Sequence, residues 1–331
     1  MRGKGINYDT GFSPGGKDSR PGFTAQAARE EMRVIAEELH CTAVRISGGV
    51  PERLSAAARA AAEAGLDVWF SPFPCELDTD ELRPFFADCA RRAEEIRRSE
   101  AVRRAGSEVV LVLGCELTLF AHGFIPGATG YDRIAALTSG DQDLYRRIPE
   151  IGAALGAFLA RCAADAREEF GGPLTYASGV WEHVDWTPFD YVAVDAYRDA
   201  HNAGTYGDEI RAHVRHGKPL VVSEFGCCTY QGAGDRGGLG WAITKDGRID
   251  GAYVRDEGEQ VRYLRELLAV FEEAGVDSAF WFTFAGFGLP HHPTDPELDL
   301  DMAAYGVMKV LADGGQEPKE VFHALADAYR T

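Results

Sequence analysis

Short apolar runs alternate with segments of helical periodicity from one end of the chain to the other. Residues 3–8 read as a first strand. A Gly/Pro-rich loop over 11–22 follows, and Thr24 caps a helix with apolar positions at Met32, Val34, Ile35 and Leu39. A second strand is expected over 42–46, an alanine-rich helix over 51–64 stopped by Gly65, and a third strand over 66–70. Residues 79–104 carry one long amphipathic helix with a charged outer face. The fourth strand, 108–113, is strongly apolar, and an insertion rich in aromatics and glycines follows over 117–141. A long helix over 143–170, with Pro149 as the point where it would break, leads to strands five (174–177) and six (191–194). A short helix over 205–216 precedes KPLVVSEFGC at 218–227, where Leu220, Val221 and Val222 suit a strand buried on both faces. Next come a glycine-rich loop (229–256), an amphipathic helix (257–274) and an eighth strand (278–284). After a loop over 285–301, a last pair of helices closes the chain.

Eight strands, most followed by a helix, with no break in composition and no linker, predict one (β/α)8 TIM barrel, an α/β domain spanning 1–331. Its long loops fall at about 117–142, 227–256 and 285–301. An open doubly wound sheet would usually carry a glycine-rich phosphate turn after strand one, and GINYDTGF is not GxGxxG.

Composition narrows the partners. The 331 residues are 45% hydrophobic, ample for the core of one such barrel. Against 34 Lys+Arg stand 52 Asp+Glu, a formal net charge of -18, which argues against nucleic acid or an anionic membrane surface as partner. The start, MRGKGINYDTGF, has no apolar core of a signal peptide, and no run approaches the roughly 18 apolar residues of a membrane span. Seven cysteines without a CxxC pair read as a reduced, cytoplasmic protein.

Two glutamates close the two most apolar strands, Glu116 after the fourth and Glu224 after the seventh. A carboxylate at the exit of a buried strand is costly unless it is paired or used. In a parallel barrel that exit is the face where active sites are built. Paired carboxylates suit glycosidic cleavage, one protonating the leaving oxygen while the other attacks or activates water.

Taken together, these strand ends resemble clan A of the glycoside hydrolases, the retaining (β/α)8 glycosidases. KPLVVSEFG is similar to that clan's nucleophile strand and LVLGCELT to its acid/base strand, which implies Glu224 as nucleophile and Glu116 as acid/base. TAVRI resembles the strand-two segment whose arginine, here Arg45, supports the nucleophile. Asp195-Ala196-Tyr197 resembles the strand-six motif whose tyrosine, here Tyr197, hydrogen-bonds it. FWFTF resembles strand eight, implying Trp281 as the floor beneath the sugar, and Asn7 completes the supporting shell. The resemblance covers most of the chain, and it departs from the clan at two places. Cys115 stands where most of the clan has Asn against the sugar 2-hydroxyl, and a thiol cannot replace a two-donor amide. Asp195 stands where His or Asn is common.

The expectation is a retaining glycosidase acting on a small glycoside or oligosaccharide, with no cofactor and no metal. The alternatives are a transglycosidase or biosynthetic tailoring enzyme, or a sugar-binding protein without catalysis. Trp181, Trp186 and Trp241 serve equally well as sugar-stacking platforms or as pins for their loops. His291-His292 with Asp295, Asp299 and Asp301 match no zinc or calcium spacing. Neither a GxSxG elbow nor a P-loop occurs.

Overall fold

The computed structural model describes residues 1–330. Its strands are β1 (Gly3–Asp9), β2 (Ala43–Gly48), β3 (Asp67–Pro72), β4 (Val109–Cys115), β5 (Leu174–Gly179), β6 (Val192–Asp195), β7 (Leu220–Phe225), the two-residue pair β8 (Thr244–Lys245) and β9 (Arg248–Ile249), β10 (Ser278–Trp281), β11 (Met308–Val310) and β12 (Gln316–Pro318). β1 to β7 and β10 form one closed barrel in which β10 lies between β7 and β1. The barrel pairs whose register is resolved, including β3–β4, β4–β5 and β10–β7, all run parallel. The expected (β/α)8 barrel is therefore the observed fold. All seven residues of β4 are buried, as its uninterrupted apolar run requires.

The helices are α1 (Ala25–Arg33), α2 (Pro51–Glu63), α3 (Thr79–Arg97), α4 (Glu100–Ala105), α5 (Leu117–Phe120), α6 (Gly130–Thr138), α7 (Gln142–Glu169), α8 (Tyr206–Val214), α9 (Glu257–Ala274) and α10 (Glu320–Tyr329). Their apolar faces cover the strands. Phe271 of α9 meets Phe225 of β7 edge-on at 4.9 Å, and Phe225 meets Trp281 of β10 at 5.4 Å. Each such buried ring contributes roughly 1.5–3 kcal/mol by area alone.

Several expectations are corrected. The helix expected over 79–104 is two, because Ser99 Oγ accepts the Val102 N–H and starts a new helix that Gly106 ends in the left-handed conformation. The 117–141 insertion is largely helical, with Thr129 and Asp132 forming a capping box at the start of α6. α7 runs through Pro149 without a break, its buried Leu144, Ile151, Leu155 and Phe158 packing on both sides of that residue. The last pair of helices is instead the hairpin β11–β12, turned at Gly314, and one helix, α10. The 229–256 loop holds a 3-10 segment (Ala233–Leu239) and the hairpin β8–β9.

The chain groups into two compact units. One comprises Met1–Asp9, Arg33–Val44 and everything from Ala196 onward; the other comprises Thr10–Met32 and Arg45–Asp195. In the first, Arg255 pairs with Glu257, Asp299 and Asp301, and the fully buried Lys319 pairs with Asp301 at 2.9 Å. His291 contacts Asp299 at 2.8 Å. Asp299 and Asp301, weighed above as cation ligands, are thus committed to an ion-pair network.

In the second unit, Glu94 of α3 accepts from Arg97 at 2.7 and 2.8 Å and from the Gly171 N–H at 3.1 Å, tying the helix to the approach of β5. The Arg97 hydrogen bonds lower its pKa from 4.5 to about 2, with Gly171 and Arg98 adding to the effect. A depressed carboxyl pKa stabilises the fold above the unfolded value, and that stability is lost as pH falls through the folded one. Glu94→Gln is therefore expected to lower the melting temperature at pH 7 and to leave it unchanged near pH 2, flattening the acid limb between about pH 4.5 and 2. A melting-temperature series from pH 7 to 2 checks this; an equal loss at both ends would remove the electrostatic explanation.

Candidate active site

Both glutamate-bearing strands carry an extra residue at their carboxylate end, ahead of Glu116 on β4 and at Ser223–Glu224 on β7. On β4, Val112 pairs with Thr175 but Cys115 with Ala177, three steps against two. On β7, Val222 pairs with Ala279 but Phe225 with Trp281, again three against two. A bulge of this kind bends a strand and re-aims the side chains beyond it. At β4 the bend falls on Gly114, whose φ of +89° and close contacts with Leu117 and Phe86 (3.0–3.1 Å from a would-be Cβ) leave no room for a side chain. After β7, a Cβ on Gly226 would sit 2.6 Å from the Phe282 carbonyl oxygen, which explains the glycine that breaks the apolar run.

In the first unit, Glu224 is half-buried, and the Tyr197 hydroxyl donates to its Oε2 at 2.9 Å. Tyr197 packs edge-on against Tyr305 at 5.9 Å. The Tyr305 hydroxyl donates to the Gly237 carbonyl at 2.7 Å and accepts the Gly240 N–H at 3.0 Å, fixing the glycine-rich loop beside it. Asn7 is buried and donates to the Ser223 carbonyl at 2.9 Å and the Phe280 carbonyl at 3.3 Å, lacing β1 to β7 and β10.

Trp281 is not at the surface. It is 0% exposed, and its indole N–H donates to the Tyr305 carbonyl at 3.0 Å. The aromatic that the strand turns to the other side is Phe282, half-exposed and 5.7 Å from the Tyr305 ring. Trp241 is half-buried on the long loop.

In the second unit, Glu116 follows β4 directly and adopts a left-handed conformation, φ +43° and ψ +47°, as the N-cap of α5. It is half-buried. Cys115 is buried, and its thiol donates to Asp195 Oδ2 at 3.4 Å. Arg45, 1% exposed, donates from Nε to the Ser71 hydroxyl at 3.2 Å. Trp181 is half-buried and donates to Thr118 Oγ1 at 3.0 Å, two residues from Glu116. Trp186 is core, packed on Phe189.

One group is absent from the sequence-based expectations. Glu182, buried after β5, accepts from the Thr118 N–H and hydroxyl, the Tyr176 hydroxyl and the Gly179 N–H. A carboxylate among aromatics in TYASGVWEH is the one local sign of it.

Neither a family model nor a curated protein sequence matches the chain. Solved structures do. The β-mannanase AaManA from Alicyclobacillus acidocaldarius, a member of glycoside hydrolase family 113 bound to ManMIm, aligns over 99% of this chain and 97% of its own at 17% identity and a TM-score of 0.62. Thermotoga maritima Cel5A with mannotriose covers 92% of this chain and 97% of its own at 13% identity and a TM-score of 0.54. The family 1 β-glucosidase of Thermotoga maritima covers 98% and 96% at 11% identity and a TM-score of 0.56. The fold is that of the clan A glycosidases. At these identities the likeness concerns the barrel fold alone; the chemistry rests on this chain's own residues. Among the described residues no helix is long and apolar enough to cross a membrane.

Proposed function

We propose that this protein is a retaining glycoside hydrolase, one catalytic barrel with Glu224 as nucleophile and Glu116 as acid/base. The observation that carries the reading is the Tyr197 hydroxyl on Glu224 Oε2, at the exit of a bulged barrel strand. A phenol donating to one carboxylate oxygen fixes the orientation of the group. Active sites of parallel barrels are built at the strand exits, and each of these two glutamates lies at one.

In the first step a Glu224 oxygen bonds to the anomeric carbon while the glycosidic bond breaks, and Glu116 gives its proton to the departing oxygen. Water then attacks the glycosyl ester and yields its proton to Glu116, which returns both groups to their starting states. Asn7, bonded to the Ser223 carbonyl, holds the end of β7 that presents the nucleophile, and Arg45 ties β2 to β3 through Ser71. Phe282, not Trp281, offers an aromatic face for a sugar, with Trp181 and Trp241 as further stacking surfaces.

A small glycoside or oligosaccharide is the substrate class that fits, and neighbours solved with mannotriose or cellobiose support it. Seven cysteines outside any disulfide suit a reducing, cytoplasmic compartment, and the charge of -18 suits neither nucleic acid nor an anionic membrane. No cofactor is required. The Cys115–Asp195 hydrogen bond, in place of an amide, favours a second reading: a tailoring enzyme or transglycosidase on an unusual glycoside.

The test is labelling with a panel of activated 2-deoxy-2-fluoro glycosides, followed by intact and peptide mass spectrometry. One adduct, on Glu224, is the expected result. Turnover without any Glu224 adduct would remove the nucleophile assignment. Transfer of the trapped sugar to an added alcohol, faster than to water, would favour the transglycosidase.

A further inference from the structure

Glu116 is the N-cap of α5, yet its side chain makes no cap hydrogen bond. The first N–H groups of a helix need acceptors, and a cap residue's own oxygen ordinarily supplies one. Here the acceptors come from elsewhere. The Leu117 N–H donates to the Tyr176 hydroxyl at 2.7 Å, and that hydroxyl donates onward to Glu182 Oε2 at 2.8 Å. The Thr118 N–H and hydroxyl donate to Glu182 Oε1 at 3.0 and 2.7 Å. Gly179 N–H completes the set on Oε2 at 3.1 Å. On the other side, the Glu116 N–H donates to the Ala177 carbonyl at 2.9 Å. The peptide groups flanking Glu116 are therefore pinned to β5 and to the segment just after it.

We infer that Glu182 is a positioning residue for Glu116: it caps α5 from β5's side, so that the Glu116 carboxylate is not engaged in capping its own helix and points where chemistry needs it. This rests on the assignment of Glu116 proposed above. Three features agree. Glu182 is buried, and four donors converge on its two oxygens, the full complement a carboxylate accepts. A left-handed non-glycine residue persists only where its surroundings hold it, and these bonds do so. Trp181 donates its indole N–H to the same Thr118 hydroxyl, so a half-exposed aromatic face is built on the network that holds Glu116. Burial pushes the Glu182 carboxyl above its ordinary value while the donors oppose it.

The experiment compares kcat/KM on 2,4-dinitrophenyl and phenyl β-D-mannosides and β-D-glucosides for the wild type, Glu182→Gln and Tyr176→Phe. The dinitrophenolate leaves without a proton; the phenolate needs one. Glu182→Gln is expected to lose about 30-fold or more on the phenyl glycoside and less than about threefold on the dinitrophenyl one, with Tyr176→Phe following in the same direction. The alkaline limb of the phenyl profile should weaken with it. Equal losses on both glycosides in both variants, beside a Glu116→Ala control that does discriminate, would overturn the inference and reduce Glu182 to a structural residue. If Glu182→Gln does not fold, Tyr176→Phe decides alone. If Glu116→Ala itself fails to discriminate, the acid/base reading falls first and this inference with it.

Discussion

Glu224→Gln is expected to lower turnover by at least about 10,000-fold while leaving the melting temperature nearly unchanged, because it removes the atom that attacks and little else. The amide has the shape of the carboxylate, and its oxygen still accepts the Tyr197 hydroxyl now 2.9 Å from Oε2. Glu224 is half-buried, so the substitution opens no cavity, and a stability change within about 0.5 kcal/mol is expected. Activity and stability should therefore separate. The truncated variant carries the sharper readout. Glu224→Ala leaves space at the end of β7 where azide can attack the anomeric carbon directly. A single displacement inverts configuration, so the glycosyl azide should form with the anomer opposite to that of an activated fluoride substrate. A retained azide from Glu224→Ala, or ordinary turnover by Glu224→Gln, would exclude this residue as nucleophile.

Legibility followed the strands. β4 and β7 are buried runs with a carboxylate at the exit, and both conditions are local, so Glu116 and Glu224 stand out from sequence. Tyr197 and Arg45 come from the resemblance instead, and Arg45 is the third residue of β2 and not its last. What fails is anything that needs register. The side-chain period of a strand is two, so one extra residue in a strand changes which of its later side chains sit opposite those of its neighbour. The bulge between β7 and β10 sets Trp281 opposite Phe225 rather than beside Glu224, which buries the indole against Phe225 and leaves Phe282 half-exposed. Sequence alone reads the conspicuous tryptophan as the sugar floor because it cannot count that bulge.

Glu182 was hidden for another reason. Its partners come from residues 118, 176 and 179, and the most telling pair is separated by 64 positions. No local spacing encodes a carboxylate that caps a helix from a different strand. The turn at 314 and the capping box at 129–132 were local enough to read, yet segments of small and charged residues look equally like loop or helix until their backbone partners are placed.

The second large effect concerns Glu116, and its size should depend on the substrate. Glu116→Ala removes the proton donor of the first step and the base of the second, without touching the nucleophile. On a phenyl glycoside, whose oxygen must be protonated as it leaves, kcat/KM is expected to fall about 1,000-fold. On the dinitrophenyl glycoside the first step survives and the second does not. The glycosyl ester on Glu224 should then accumulate, giving a burst of dinitrophenolate, a low kcat and a KM reduced in proportion. Azide needs no base, so it should capture that ester and restore turnover, and the product should keep the configuration of the substrate because two displacements have occurred. The three signs are linked: a leaving-group dependence, a burst, and a retained azide. An inverted azide from Glu116→Ala would exchange the roles of the two glutamates. A uniform loss on both glycosides, without burst or rescue, would mean that Glu116 shapes the mouth of the barrel and that the proton comes from another group.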